Sequence, residues 1–335
     1  MKNLKKLFLL LILFPSFSYS QITTEKQVLL LKTFDFVNGQ QNTLNKIKLN
    51  FPQQSIEATI AELEFHKNYS KAISSITIKV QKIFGESFND YVKKLENNSD
   101  EYFNSKEMSE ENAVLFIEKV KSRAKGSIKS PFIETLLEYQ YLDNPVDEFL
   151  ANHYKLYSVK RYSNSGKTEL NVKIPKSWKE IDGMFPFVLK KFRSENGTGN
   201  AIITIFVDKI SSKTNSNLNI NNLFTENELL KMAPKGSKIV AAYSKKIDGK
   251  LTGVIEYEDI NAKIGSNQKR VVTQYILLYQ KNLLRIDCAT YGTTTDELLD
   301  ITIERLEPLY LSILKSIIFN DLNKSSNILT YKIQN

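Results

Sequence analysis

The sequence predicts an α+β protein: an all-helical N-terminal domain, then one antiparallel sheet of about seven strands flanked by helices. Three observations carry this. Up to about residue 155 apolar residues recur every three or four positions and glycine is sparse (Gly39, Gly85, Gly126). From about Tyr157 the period falls to two, as where Leu170, Val172 and Ile174 alternate with Asn171 and Lys173. Two segments with helix-capping signals then interrupt and close the strand-rich part.

Ahead of both parts stands a targeting pattern. Lys2, Lys5 and Lys6 are basic, Leu7 to Phe14 is an apolar run, and Ser18 and Ser20 put small side chains at −3 and −1 of a cut before Gln21. This is the three-part layout of a secretory signal peptide, with an uncleaved anchor as the alternative. The run is far short of the roughly 20 apolar residues that cross a bilayer. No cysteine near the cut offers a site for a lipid, and no later stretch is long and apolar enough to span. The expectation is an exported protein, periplasmic or secreted, with no transmembrane segment in the mature chain. Its parts are a signal peptide at 1–20, a helical domain at 21–155, an α/β/α domain at 160–320 and a polar tail at 321–335.

Losing residues 1–20 leaves 43 basic against 37 acidic residues, a net +6. Only six of the basic residues are arginines (123, 161, 193, 270, 285, 305). Lysine is a hydrated point charge, whereas arginine is suited to two-pronged recognition of phosphate or carboxylate. The excess therefore reads as a solvated face with some attraction for anionic envelope polymers. A nucleic-acid partner is excluded for an exported chain without a recognition motif. Cys288 is the single cysteine, so no internal disulfide can form, and in LLRIDCAT it reads as a buried small hydrophobe.

In the helical part, Val28, Leu31, Phe34 and Val37 form one stripe that Gly39 should end as a C-cap. Ser55 should open a helix with Ile56, Ile60, Leu63 and His66 inward, and Ala72–Phe84 a further one despite its β-branched ISSITIKV. Phe88, Tyr91, Val92 and Leu95 mark another. Ser109 before Glu110 and Glu111 opens a helix with Val114, Ile117 and Val120 inward. Ser130-Pro131 and Asn144-Pro145 read as N-cap followed by proline. The count is six or seven short helices.

In the second part, Leu170–Ile174, Phe187–Phe192 and the apolar run Ala201–Val207 are strands, the last two joined by the turn ENGTGN. Thr225 and Glu228 form a capping box for a short helix that stops before Pro234. Ile239–Lys246 and Leu251–Asp259 form a hairpin about Asp248-Gly249, and Arg270–Tyr279 and Leu283–Ala289 another across Gln280-Lys281-Asn282. Thr294 and Glu297 cap a closing helix that Pro308 should kink or restart.

That order, with IPKSW at its start, resembles the PsbP/Mog1-like α/β/α sandwich superfamily over about residues 165–320. The shared pattern is a strand ending in Ile174-Pro175 with Trp178 shortly after, the hairpins from Ile239 to Ala289, and a closing helix running into Ser316-Ile317-Ile318-Phe319. The resemblance implies a binding or accessory module more readily than an enzyme and carries over no functional residue.

The chemistry-bearing residues are few. His66 and His153 are the two histidines, and no His-x-x-x-His or Cys-x-x-Cys spacing is present. No G-x-S-x-G elbow occurs, and Gly197-Thr-Gly199 precedes a strand rather than a helix. No catalytic, cofactor-binding or metal-ligating residue is assigned, and no cofactor is implied. Glu256 and Glu258 share one face of a strand and offer either an acid/base pair or a polar edge. Tyr275 and Tyr279, with Phe187, line a groove if they gather on one face, and otherwise pack. Trp178 is either a packing ring or a ring beside lysines that would suit an anionic or sugar ligand. Three functions stay open: a non-catalytic binding or accessory protein of the bacterial cell envelope, a carboxylate-dependent hydrolase or glycan-active enzyme, and a cationic envelope scaffold. The partner is another envelope protein or an anionic envelope polymer.

Overall fold

The computed structural model describes residues 17–105, 108–163, 166–182, 188–209, 220–260, 268–279, 282–293 and 298–319. The basic and apolar parts of the signal pattern, Phe187, Gln280 and Lys281, the Thr294/Glu297 cap and the polar tail lie outside these residues. The described chain divides into two compact units. One runs to His153 and takes in Pro175–Glu180 and Phe192–Asn200; the other holds Tyr154–Ile174, Ile181–Lys191 and the residues from Ala201 onward.

The first unit is built on α1 (Phe17–Asn50), α2 (Ser55–Phe84), α3 (Phe88–Ser105), α4 (Glu110–Ala124), α5 (Pro131–Gln140) and α6 (Val146–Leu150). Two are far longer than expected. Gly39 does not cap α1, which continues eleven residues beyond it. A lone interior glycine costs only about 1 kcal/mol, less than the packing of Leu44 and Ile47 beyond it, both fully buried. The expected helices at Ser55 and Ala72 are one, because Ile76 and Val80 are buried and tertiary packing overrides the weak propensity of β-branched residues.

The inward face of α2 also differs from expectation. Ala58, Ala61, Phe65, Tyr69, Ala72, Ile76 and Val80 are buried, while Ile56, Ile60 and Leu63 are exposed. The alanines let neighbouring helices approach closely, and the two rings supply the area. Val28 and Val114, expected inward, are also exposed. Ser109 caps α4 by accepting from the Asn112 amide, and Ser130 caps α5 from the Phe132 amide. At the last helix it is Pro145, not Asn144, that occupies the cap position.

The second unit contains most of a seven-stranded antiparallel sheet in the order β3-β4-β5-β9-β8-β7-β6. Its strands are β3 (Lys179–Ile181), β4 (Val188–Arg193), β5 (Ala201–Lys209), β6 (Lys238–Ile247), β7 (Lys250–Ile260), β8 (Gln268–Tyr279) and β9 (Asn282–Thr293). The expected opening strand is not among them. β2 (Gly166–Pro175) pairs instead with β1 (Tyr154–Ser163) and β10 (Ile318–Phe319) in a separate three-stranded sheet. Ser316 secures that join by accepting from the Lys173 amide at 3.1 Å.

Helices pack on both faces of the large sheet. The short α7 (Ile220–Leu223) leads into α8 (Glu226–Met232), which puts Leu229, with Phe224, on Ile255, Tyr257, Val272, Ile276 and Ala289. Thr225 stands at the cap of α8, but its hydroxyl donates to the Asn222 carbonyl and makes no capping bond, so the expected capping box does not form. α9 (Leu298–Lys315) packs on β9 and β6. It passes through Pro308 as one helix instead of restarting there. The β6–β7 turn is the expected one: Asp248 and Gly249 both have positive φ, at 51° and 74°.

Candidate binding site

The cross-strand register decides which side chains share a face. Thr204 stands opposite Asp287, Asp287 opposite Gln274, and Gln274 opposite Ile255. On the same face Arg285 stands opposite Phe206, and Arg270 lies between Tyr291 and Asp259. Strand alternation thus gathers two of the six arginines, three aspartates and three aromatic rings on the α8 side of the sheet.

At the centre is Asp287, a buried carboxyl. Burial raises its pKa, while the Gln274 amide, donating at 2.8 Å, and the two arginines act the other way. The Arg270 guanidinium bonds Asp259 at 2.9 Å and comes within 3.8 Å of Asp287. It lies about 6 Å from the ring centres of Tyr257 and Tyr291. Arg285 pairs with Asp208 at 2.5 Å and lies over Phe206. Arg270, Asp259, Arg285 and Asp208 are partly exposed and form the outer layer, with Asp287 and Gln274 beneath. Three buried polar atoms of this cluster, Arg270 Nε, Arg285 Nε and Gln274 Oε1, make no hydrogen bond among the described residues, although Arg285 Nε meets Asp208 as an ion pair. The two guanidinium nitrogens are donors and the amide oxygen an acceptor; a hydroxyl complements either kind.

The residues singled out in the sequence lie elsewhere. Tyr275 is fully buried on the opposite face, beneath the Lys245 ammonium, and burial pushes its hydroxyl well up. Tyr279 stacks on Phe319 with ring centres 3.8 Å apart. Glu256 accepts from the Tyr243 hydroxyl at 2.9 Å, and that hydroxyl, pushed up to about 12 by burial and then by Glu256, stays protonated. Glu258 is bonded by Lys269 and Lys238, in that order of effect, which hold its carboxyl below the ordinary range. Neither acid lies on an edge strand, since β7 runs between β6 and β8. Cys288 is buried on that same opposite face and its thiol is pushed up.

Trp178 belongs to the first unit and is buried. Beside it Ser177 is held from two directions by the buried Glu148 of α6, through its amide at 2.9 Å and its hydroxyl at 2.6 Å. Lys176 donates to the Gly126 carbonyl; the burial of His153, and then the Lys176 charge, lower the pKa of that histidine. His66 faces Gln41 at 3.2 Å in a small cleft of about 120 Å³ between α1 and α2. Elsewhere in the first unit is Glu138 of α5, whose pKa burial and then Glu195 raise to about 8, with Lys26 paired to Glu195 beside it. No group of three or more His, Cys, Asp or Glu suited to a metal occurs among the described residues.

No protein-family profile matches the chain, and no curated protein does. Solved structures match about half of it. They include cyanobacterial PsbP from Synechocystis sp. PCC 6803 (16% identity, 50% of this chain and 93% of that one, TM-score 0.33). LpqN of Mycobacterium tuberculosis, described as involved in cell envelope biogenesis, matches at 11% identity over 53% and 98%, TM-score 0.32. The Ran-binding protein Mog1p of Saccharomyces cerevisiae matches at 8% over 49% and 95%, TM-score 0.32. PsbP and Mog1 are the two proteins after which the resembled superfamily is called. The α+β assignment itself rests on the strand order and register above.

Proposed function

We propose that this protein is an exported, non-catalytic binding or accessory protein of the bacterial cell envelope, and that the cluster around Asp287 is its binding site. The observation that carries the reading is the unmatched donor and acceptor, Arg270 Nε and Gln274 Oε1, inside a polar cluster walled by aromatic rings. A hydroxyl-bearing envelope polymer complements that set, since each sugar hydroxyl both donates and accepts while its C–H faces pack on rings. Of the acids first in view as an acid/base pair, Glu258 is held ionised by two lysines and so is not placed to donate a proton. The signal pattern supports export, and no described helix is long and apolar enough to cross a membrane.

The test is retention of the purified mature protein by isolated envelope glycan across a salt series. The proposal predicts saturable retention that changes little between low and high salt, because it rests on hydrogen bonds and rings. Retention that collapses with salt would instead support the cationic scaffold, whose lysines act through screened attraction. Release of soluble sugar fragments during the incubation would overturn the non-catalytic reading.

A further inference from the structure

Arg123, in the last turn of α4, carries a charge that no acid answers among the described residues. It is partly exposed and reaches across to α1, where its Nη1 donates to Oε1 of the buried Gln40 at 2.8 Å. The guanidinium carbon lies 4.7 Å from the centre of the Phe36 ring and 5.8 Å from that of Phe116. Phe132 of α5 backs Phe36, with ring centres 5.1 Å apart. Burial lowers the pKa of Arg123, and no neighbouring carboxylate acts the other way. By contrast Lys48 and Lys121, on the same two helices, are paired with Glu62 and Glu57. The end of α4 supplies only about half a negative charge, so the guanidinium stays short of a counter-ion.

A guanidinium carries several N–H donors in a planar fork, and Gln40 takes one of them. Planar donors without an acid suit a carboxylate, which lies flat in the fork and accepts two bonds side by side. The carbons behind such a carboxylate then run out beside Phe36 and Phe116 and pack on the rings. We propose that Arg123 anchors a second binding site, which takes an organic carboxylate on an apolar stem, with those two rings as its walls. A phosphate, tetrahedral and without an apolar stem, leaves the rings uncovered. Lys119 precedes Arg123 by one helical turn, and Lys32 precedes Phe36 by one. Both lysines are exposed, make no ion pair among the described residues and add positive potential around the site. All of these residues belong to the first unit, so the proposal is independent of the cluster around Asp287.

Calorimetric titration of the mature chain at constant ionic strength, with benzoate, glucuronate and inorganic phosphate as probes, tests this. The expected result is saturable binding of benzoate, at least tenfold tighter than either of the others. Arg123→Lys keeps the charge but loses the fork, and should weaken benzoate at least tenfold. Gln40→Glu gives the guanidinium a carboxylate of its own and should weaken benzoate as much, with circular dichroism unchanged. Because Gln40→Glu keeps the shape of the side chain, it carries the reading if Arg123→Lys melts early. Absence of saturable benzoate binding up to about 50 mM, beyond the weakest specific affinities, overturns the proposal. So does phosphate or glucuronate binding as tightly as benzoate, which would leave the rings without a part. Benzoate affinity equal to the parent's in either folded variant overturns it as well.

Discussion

Trp178 is 3% exposed, and its ring is part of the first unit's interior. Trp178→Ala should therefore cost roughly 3–5 kcal/mol in a urea unfolding experiment; a change within about 0.5 kcal/mol, typical of surface sites, would show the ring to be free for a ligand. Glu148 sets a second residue-scale expectation. It is the acceptor for both Ser177 bonds, so Glu148→Ala leaves a buried amide and hydroxyl unmatched and should destabilise by about 1–3 kcal/mol. Glu138 gives a pH dependence with a definite sign. Its folded pKa is raised to about 8 by burial and then by Glu195, so between the ordinary carboxylate range and about pH 8 the folded state holds a proton that the unfolded state has released. Stability should fall as pH rises through that window and level off above it. Lys26 lies close enough to relieve part of the penalty. Glu138→Gln should flatten the slope and raise stability at pH 8 by something on the order of 2 kcal/mol; an unchanged profile across pH 5–9 would refute this.

At the scale of elements, the period of the apolar pattern identified helix and strand, but not the phase or length of either. In α2 both Ile56/Ile60/Leu63 and Ala58/Ala61/Phe65 lie at helical spacing, and hydropathy favours the former. Close helix packing chose the alanine face, a preference that depends on partners distant in sequence. Gly39 failed as a breaker, and Pro308 does not divide its helix in two, because packing on either side outweighs a local cost. The small sheet was not legible, because β1 and β10 gain their meaning only from pairing with β2. Gly253 shows the converse, a residue whose role appears only in the assembled unit. A Cβ there would come within 2.6 Å of Leu229 and 3.0 Å of Phe224, so α8 can seat on β7 only over glycine. Gly253→Val should destabilise by roughly 1–3 kcal/mol or more through overpacking, and a thermal melt indistinguishable from the parent would contradict that seating.

For the molecule as a whole, the division into a helical part and an antiparallel sheet with helices was readable from the change of period near Tyr157. The candidate site was less so. Asp287 sits in LLRIDCAT, which reads as an apolar run, and Asp259 reads as one of several acids at a strand end. A usable signal was present in the parity of the strands: Arg270 and Gln274 share one side of β8, and Arg285 and Asp287 share one side of β9. Polar residues of matching parity in adjacent central strands must meet across the ladder, and register alone brings them together. The sequence-level candidates instead stood out by residue type, and types such as Tyr275 and Trp178 were taken up by packing. The central claim, that the Asp287 cluster binds a hydroxyl-bearing envelope polymer, is tested most directly by the equilibrium affinity of the mature chain and its Arg270→Lys variant for isolated envelope glycan. Lysine keeps the charge facing Asp259 and Asp287 but lacks the Nε–H donor. The account predicts at least tenfold weaker binding with circular dichroism unchanged; equal affinity of the two proteins, or no saturable binding by either, would contradict it.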